Sequence, residues 1–254
     1  MADSTHPNNP INAQIFHCPS CGAPLIPKGA AAVMSCSYCN ASVAVPEELR
    51  QVAGAAAWST LIFDDFSSND NNWLVGETPS DDYFTQLSQT IADRRYRWKA
   101  RVNRPTNTSS LSSMATAWLR GYSLSDFHLL VNCKHILGSR SGSSWGLIFR
   151  VQDNKNMYSF RMSDQQLFSV LVVTEGNWQK LLAWERSETI KAYGVNQLEV
   201  IANAAHFTFL INGRVVGEVD DDHFSKGLVG MVIEGYTHGE ETTFDFLDLT
   251  LRAP

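Results

Sequence analysis

The 254-residue sequence predicts an all-β protein: a two-sheet antiparallel jelly-roll sandwich preceded by a small cysteine-held module and a short helical linker. Three observations predict it. Two Cys-x-x-Cys pairs stand within the first 40 residues. From Leu61 onward, short runs rich in Val, Ile, Phe, Tyr and Trp alternate with Gly, Asn, Asp and Ser clusters, and no 3.6-residue period is sustained. The segment HFTFLINGRVVGEV sets two alternating runs around Asn212-Gly213, a dipeptide suited to the two positive φ angles of a type I′ hairpin turn.

Residues 1–15 read as a flexible, solvated tail, since they carry neither the basic start nor the apolar stretch that secretion requires. The pattern Cys18-Pro19-Ser20-Cys21, fourteen residues, Cys36-Ser37-Tyr38-Cys39 then follows. Paired cysteines at about this separation suit tetrahedral Zn²⁺. Four thiolate ligands leave no open position for water, so one structural zinc per chain is expected rather than a catalytic one. Gly22 and Asn40 follow the two pairs, and both residue types tolerate the positive φ that a tight metal-binding turn demands. FHCPSCGAPL and CSYCNASVAVP resemble the two knuckles of the zinc-ribbon family, over residues 16–46. The alternative, a pair of redox dithiols, belongs to a βαβ setting that this sequence does not show.

Pro46 closes the ribbon, and EELRQVAGAAAW reads as a linker over 47–57, helical by propensity though interrupted by Gly54. The sandwich is expected over 58–254. Its strands are placed near 95–102, 125–134, 145–152, 157–162, 167–174, 197–203, 206–211, 214–219, 228–234 and 242–252. LFSVLVV and GLVGMVI are apolar on both faces, as in the middle of a sheet covered on both sides. In RRYRWKARV, Tyr96, Trp98, Ala100 and Val102 alternate with Arg95, Arg97, Lys99 and Arg101. The basic ladder is either a solvated outer face neutralised by carboxylates on the next strand or a docking patch for an acidic partner. Cys133, in phase with Phe127, Leu129 and Val131, is expected in the core.

The order of DDF at 64–66, WGLIFR at 145–150, MYSFRM at 157–162, NWQKLLAW at 177–184, NQLEV at 196–200, FLINGRVV at 209–216, DDHFSKGLVGM at 221–231 and FDFLDLTL at 244–251 is similar to the concanavalin A-like lectin and glucanase superfamily, in its laminin-G-like form. The resemblance covers residues 61–254. It implies a jelly-roll sandwich whose members bind glycans or proteins and in some branches cleave polysaccharides.

No catalytic residues are assigned. A retaining glucanase needs two carboxyls roughly 5 Å apart on one strand, and the nearest approach to that pattern, Glu218-Val219-Asp220-Asp221-Asp222-His223, ends in His and reads as a solvated turn. Nucleophile-elbow, phosphate-loop and zinc-protease motifs are absent from the sequence. Trp73 and Trp118, set in polar surroundings, are the candidate sugar-stacking residues. Asp64, Asp65 and Asp245, the last near the final strand with Asp248, are candidate Ca²⁺ ligands.

Twenty basic residues against 26 acidic give a net charge of −6, which disfavours nucleic-acid binding. The absence of a long apolar run argues against a membrane span. Cysteine usage places the protein in the cytoplasm. The main expectation is a non-enzymatic adaptor whose ribbon and sandwich dock a protein partner or assembly. The alternative is a carbohydrate-binding module, and the weaker one a glycoside hydrolase.

Overall fold

The computed structural model describes residues 15–27, 31–79, 83–103 and 113–254. The expected tail, apart from Ile15, lies outside them. The chain divides into two compact units, residues 1–57 and 58–254.

In the first unit, β1 (Phe16–His17) pairs with β2 (Pro24–Leu25), and β3 (Val33–Ser35) with β4 (Ser42–Ala44), both antiparallel. A Cys-x-x-Cys turn connects each pair. Helix α1 (Glu47–Ala56) follows Pro46, whose φ of −51° already suits a helix start. The buried apolar cluster comprises Cys18, Leu25, Cys36 and Val43, far too little to hold a fold without a further constraint.

The second unit contains β5 (Ser59–Asp64), β6 (Gly76–Thr78), β7 (Phe84–Ala92), β8 (Arg95–Val102), β9 (Ser113–Trp118), β10 (Phe127–Leu137), β11 (Ser143–Asp153), β12 (Asn156–Ser163), β13 (Leu167–Thr174), β14 (Asn177–Arg186), β15 (Val195–Asn203), β16 (His206–Ile211), β17 (Arg214–Asp220), β18 (Leu228–Gly235) and β19 (Glu241–Ala253). They form two antiparallel sheets. The larger has nine strands in the order β17-β16-β15-β10-β19-β8-β7-β6, with β5 also paired to β19; the smaller has six, β14-β13-β12-β11-β18-β9. β19 is the spine of the larger sheet, with β10 along one side and β8 followed by β5 along the other.

Between the sheets lies one aromatic-rich core that includes Trp98, Trp145, Phe149, Phe160, Phe207 and Phe209, all fully buried. Each large apolar side chain buried there contributes roughly 1.5–3 kcal/mol. Tyr96, Trp98, Ala100, Val102 and Cys133 are buried as their alternation predicts. The hairpin between β16 and β17 turns at Asn212 (φ 53°) and Gly213 (φ 74°), the left-handed pair that a type I′ turn requires.

β6, β7, β9 and β14 are additional to the strands expected from sequence. In β7 and β14 the reason is a broken period of two: register shifts fall between Phe84 and Gln86, and twice where β14 pairs with β13 around Val170. A further irregularity in β11 puts Arg150 at φ 46°. Its guanidinium is thereby turned to the Phe224 and Ser125 carbonyls at 2.7 and 2.9 Å and lies 4.6 Å from the Phe207 ring centre.

Candidate functional site

Two sites stand out, one in each unit. In the first, Cys18, Cys21, Cys36 and Cys39 bring four sulfurs within 4.8 Å of one another. The Cys18–Cys39 and Cys21–Cys36 sulfur pairs are each 3.7 Å apart. Ligands ~2.3 Å from a central ion at tetrahedral angles lie about 3.8 Å from each other, whereas a disulfide would bring two sulfurs to about 2.05 Å. The separations fit a metal ion, and all four thiols are free.

Backbone geometry builds the site. Gly22 (φ 73°) and Asn40 (φ 59°) turn each knuckle back on itself. Their amides donate to the Cys18 and Cys36 carbonyls at 2.8 and 2.9 Å, while the Cys18 and Cys36 amides donate to Ala23 and Ala41. The Tyr38 and then the Cys39 amides hold the Cys36 thiol below its ordinary value. Burial pushes Cys18 up, but the Ser20 and Cys21 amides more than offset it, to about 7. Cys21, despite the Ala23 amide, is pushed up to about 12 by the neighbouring Cys39 sulfur and by burial. Four such groups ionise together only around a cation.

The second site lies on the face of the six-stranded sheet turned away from the core. Arg161 on β12 forms an ion pair with Glu234 on β18, and both side chains are nearly fully buried. The strand between them, β11, presents Gly146 directly opposite Arg161. A Cβ there would lie 2.0 Å from the Phe160 carbonyl oxygen, so only glycine allows β12 this close an approach. Glu234 also accepts hydrogen bonds from Ser144 at 3.1 Å and Tyr236 at 2.7 Å. Burial, then the Glu234 charge, push the Tyr236 phenol up and keep it protonated.

Two tryptophans from the edge strand β14 cover the pair. The Arg161 guanidinium carbon lies 5.4 Å from the Trp178 ring centre and 5.3 Å from that of Trp184, so the indoles are at most 10.7 Å apart. They are 38% and 37% exposed, each offering an outward aromatic surface. The β14 bulges make this arrangement: Leu182 packs on the core while Trp178 and Trp184 both reach Arg161. Beside Trp184 is a cavity of about 300 Å³ lined by Ser141, Ser143, Ser163, Gln165, Leu167, Trp184 and Tyr236. A second cavity, of about 330 Å³ and lined by residues such as Ser67, Asn69, Gln89 and Thr90, has no aromatic wall.

The candidates expected from sequence fall elsewhere. Trp73 is buried, its indole N–H bonded to Asp64 at 2.7 Å and its ring near Phe66 and Tyr96. It is a core residue and offers no sugar platform. Trp118 is half-buried at the end of β9, packed against Ile148, Val151 and Val232. The calcium set does not assemble. Asp64 accepts from Phe66, Asn71 and Trp73, Asp65 pairs with Arg94, and Asp245 takes two bonds of 2.6 Å from Arg97. Among the described residues, the four cysteines are the group of three or more such ligands positioned for a metal.

The basic ladder is neutralised in large part: Arg95 and Arg97 share Asp245, and Arg101 pairs with Glu241. Glu218 and Asp220 contact His206, and Asp221 contacts Tyr158 and His223. These carboxylates are thus anchored at a strand end and its following turn.

The second unit is a jelly-roll sandwich of the concanavalin-like kind. Carbohydrate binding module CBM66 from Bacillus subtilis superposes with a TM-score of 0.51 at 21% identity, over 74% of this chain and 99% of that one. A LamA variant from Z. galactanivorans, in complex with laminaritriose and laminaritetraose, gives 0.53 at 11% identity over 78% and 100%. The catalytic domain of an endo-1,3-beta-glucanase (laminarinase) from Thermotoga petrophila gives 0.52 at 8% identity over 77% and 98%. At these identities the likeness is one of fold. No protein-family profile matches the sequence, and no curated protein matches it.

Proposed function

We propose that the protein is a non-catalytic glycan-binding module carried with a structural zinc ribbon. The observation that carries this reading is the cavity beside Trp184. An exposed indole and a tyrosine flank a pocket whose other walls are hydroxyls, a carboxamide and one leucine, next to a buried, self-neutralised ion pair. Aromatic faces suit the apolar faces of sugar rings, and a few fixed polar groups orient a ligand. The concanavalin-like fold, shared with a carbohydrate-binding module and laminarinases, supports the same reading.

Retaining hydrolysis needs two carboxyls roughly 5 Å apart. Here the hydrogen-bond and ion-pair partners of Glu234 are a guanidinium and two hydroxyls. Binding without turnover therefore fits the site better than catalysis.

The ribbon supports a second role, protein docking, because Ile26, Val33 and Tyr38 are exposed on so small a unit. The cytoplasmic placement, which agrees with five free cysteines, belongs to the same proposal and is tested by cell fractionation.

Binding is tested by presenting the full-length protein and Trp184→Ala to an oligosaccharide array, followed by calorimetry on any hit. The expected result is saturable binding that Trp184→Ala weakens roughly tenfold or more, one aromatic contact being worth about 0.5–1.5 kcal/mol beyond its buried area. Binding unchanged in Trp184→Ala would move the ligand away from this cavity. No binding to any glycan would refute the reading.

A further inference from the structure

The cavity beside Trp184 has a hydrogen-bonding sense, and that sense selects the charge class of its ligand. The inference rests on the glycan-binding reading and goes one step past it. Thr242 has one hydroxyl hydrogen and three polar neighbours: the Leu137 carbonyl at 3.1 Å, Ser143 at 3.3 Å and His135 at 3.1 Å. The carbonyl can only accept, so the Thr242 hydrogen goes there and its oxygen accepts from Ser143. The Ser143 hydrogen is thereby directed inward, and toward the cavity Ser143 offers lone pairs. Tyr236 repeats the pattern. It donates to Glu234 at 2.7 Å and lies 2.6 Å from the Ser144 hydroxyl, leaving its oxygen as an acceptor.

The charges nearby are self-contained. None of the residues lining the cavity is charged. Arg161 is bound to Glu234 and covered by two indoles. Its Nε and the Glu234 Oε1 are buried without a hydrogen-bond partner, an unpaired donor and an unpaired acceptor within one ion pair. Behind Ser143, His135 is likewise paired with Asp164 at 2.5 Å.

We infer that this cavity takes a neutral, hydroxyl-rich sugar residue and rejects uronic, sulfated and sialylated ones. A sugar hydroxyl can donate to Ser143 and Tyr236. A carboxylate or sulfate cannot, and it would set its lone pairs against theirs with no available cation to compensate.

The test uses the full-length protein on an array of neutral and anionic oligosaccharides, with affinities of the leading members of each class measured by calorimetry at fixed salt. The expected result is a preference for neutral members of roughly a hundredfold or more, as when buried polar groups are left unpaired. Glu234→Gln keeps the shape and an acceptor for Arg161 but leaves the guanidinium charge uncompensated, so the preference should narrow by roughly tenfold. Ser143→Ala, a smaller change that folds independently of the ion pair, should weaken neutral binding by about two- to tenfold through loss of one acceptor.

Anionic glycans that bind as well as neutral ones, with Trp184→Ala abolishing both, would overturn this inference and leave the glycan reading intact. Neutral binding unmoved by Ser143→Ala would also overturn it. Silence across the whole array would remove the glycan reading and the inference together.

Discussion

Arg161 on β12 reaches past β11 to the carboxylate of Glu234 on β18, and the residue opposite it on the intervening strand is Gly146. Removing either partner strands a buried charge. Arg161→Met should therefore destabilise the sandwich by about 3–5 kcal/mol in urea denaturation, whereas Arg161→Met with Glu234→Gln should recover much of that loss. A single variant as stable as the parent would show that the pair is not buried in solution.

The ribbon should carry about one equivalent of zinc per chain. Elemental analysis after removal of loosely bound metal checks this. Cys36→Ser should lower metal content and melt residues 16–46, metal binding and folding being one equilibrium in such small units.

On the ladder of β8, Arg97 and Lys99 should behave differently although the sequence presents them alike. Arg97 donates twice to Asp245, which is 3% exposed in its side chain. Its pKa is raised by that hydrogen bond despite some burial. Arg97→Ala should cost about 1–3 kcal/mol. Lys99 faces Thr243 and Ser88 across the strands, and Lys99→Ala should stay within about 0.5 kcal/mol. Thermal melts of the two variants decide the point.

Acid should weaken the sandwich through Asp221. Burial pushes its carboxyl up, but the Tyr158 hydroxyl and then the His223 amide and side chain more than offset that, leaving it below the ordinary aspartate value. A carboxyl lowered on folding stabilises the protein above its unfolded pKa, and that contribution is lost as the pH falls through the folded one. Asp221→Asn should therefore lower Tm at pH 7 and make little difference at pH 3.

Much of the fold is legible in the residues because local chemistry decides it. Asn212-Gly213 specifies its turn, the cysteine spacing specifies the knuckles, and strict alternation in RRYRWKARV specifies which side of β8 is buried. The sandwich site is less legible, for a physical reason. Trp178 and Trp184 sit on a strand whose bulges destroy the period-two signal, so sequence alternation assigns them no common face. Arg161 and Glu234 are 73 residues apart in sequence and meet only through sheet register. Trp73 shows the converse: its polar neighbours Asn69 and Asn71 are its loop's internal hydrogen-bond partners, and mark no exposure. A signal was present in the pair of tryptophans within NWQKLLAW, but reading it needed the strand's curvature.

The central position of β19 bears on how the protein is made. β5, β8 and β10 all precede it along the chain, yet each takes it as a neighbour; Asp64 on β5 pairs with Leu249, 185 residues later. Until that strand leaves the ribosome, the larger sheet exists as two halves with open edges, and contacts of such long range form slowly. The nascent protein thus passes through an interval in which paired strands face solvent with aggregation-prone borders. Synthesis rate and chaperone access, more than intrinsic stability, should set its yield.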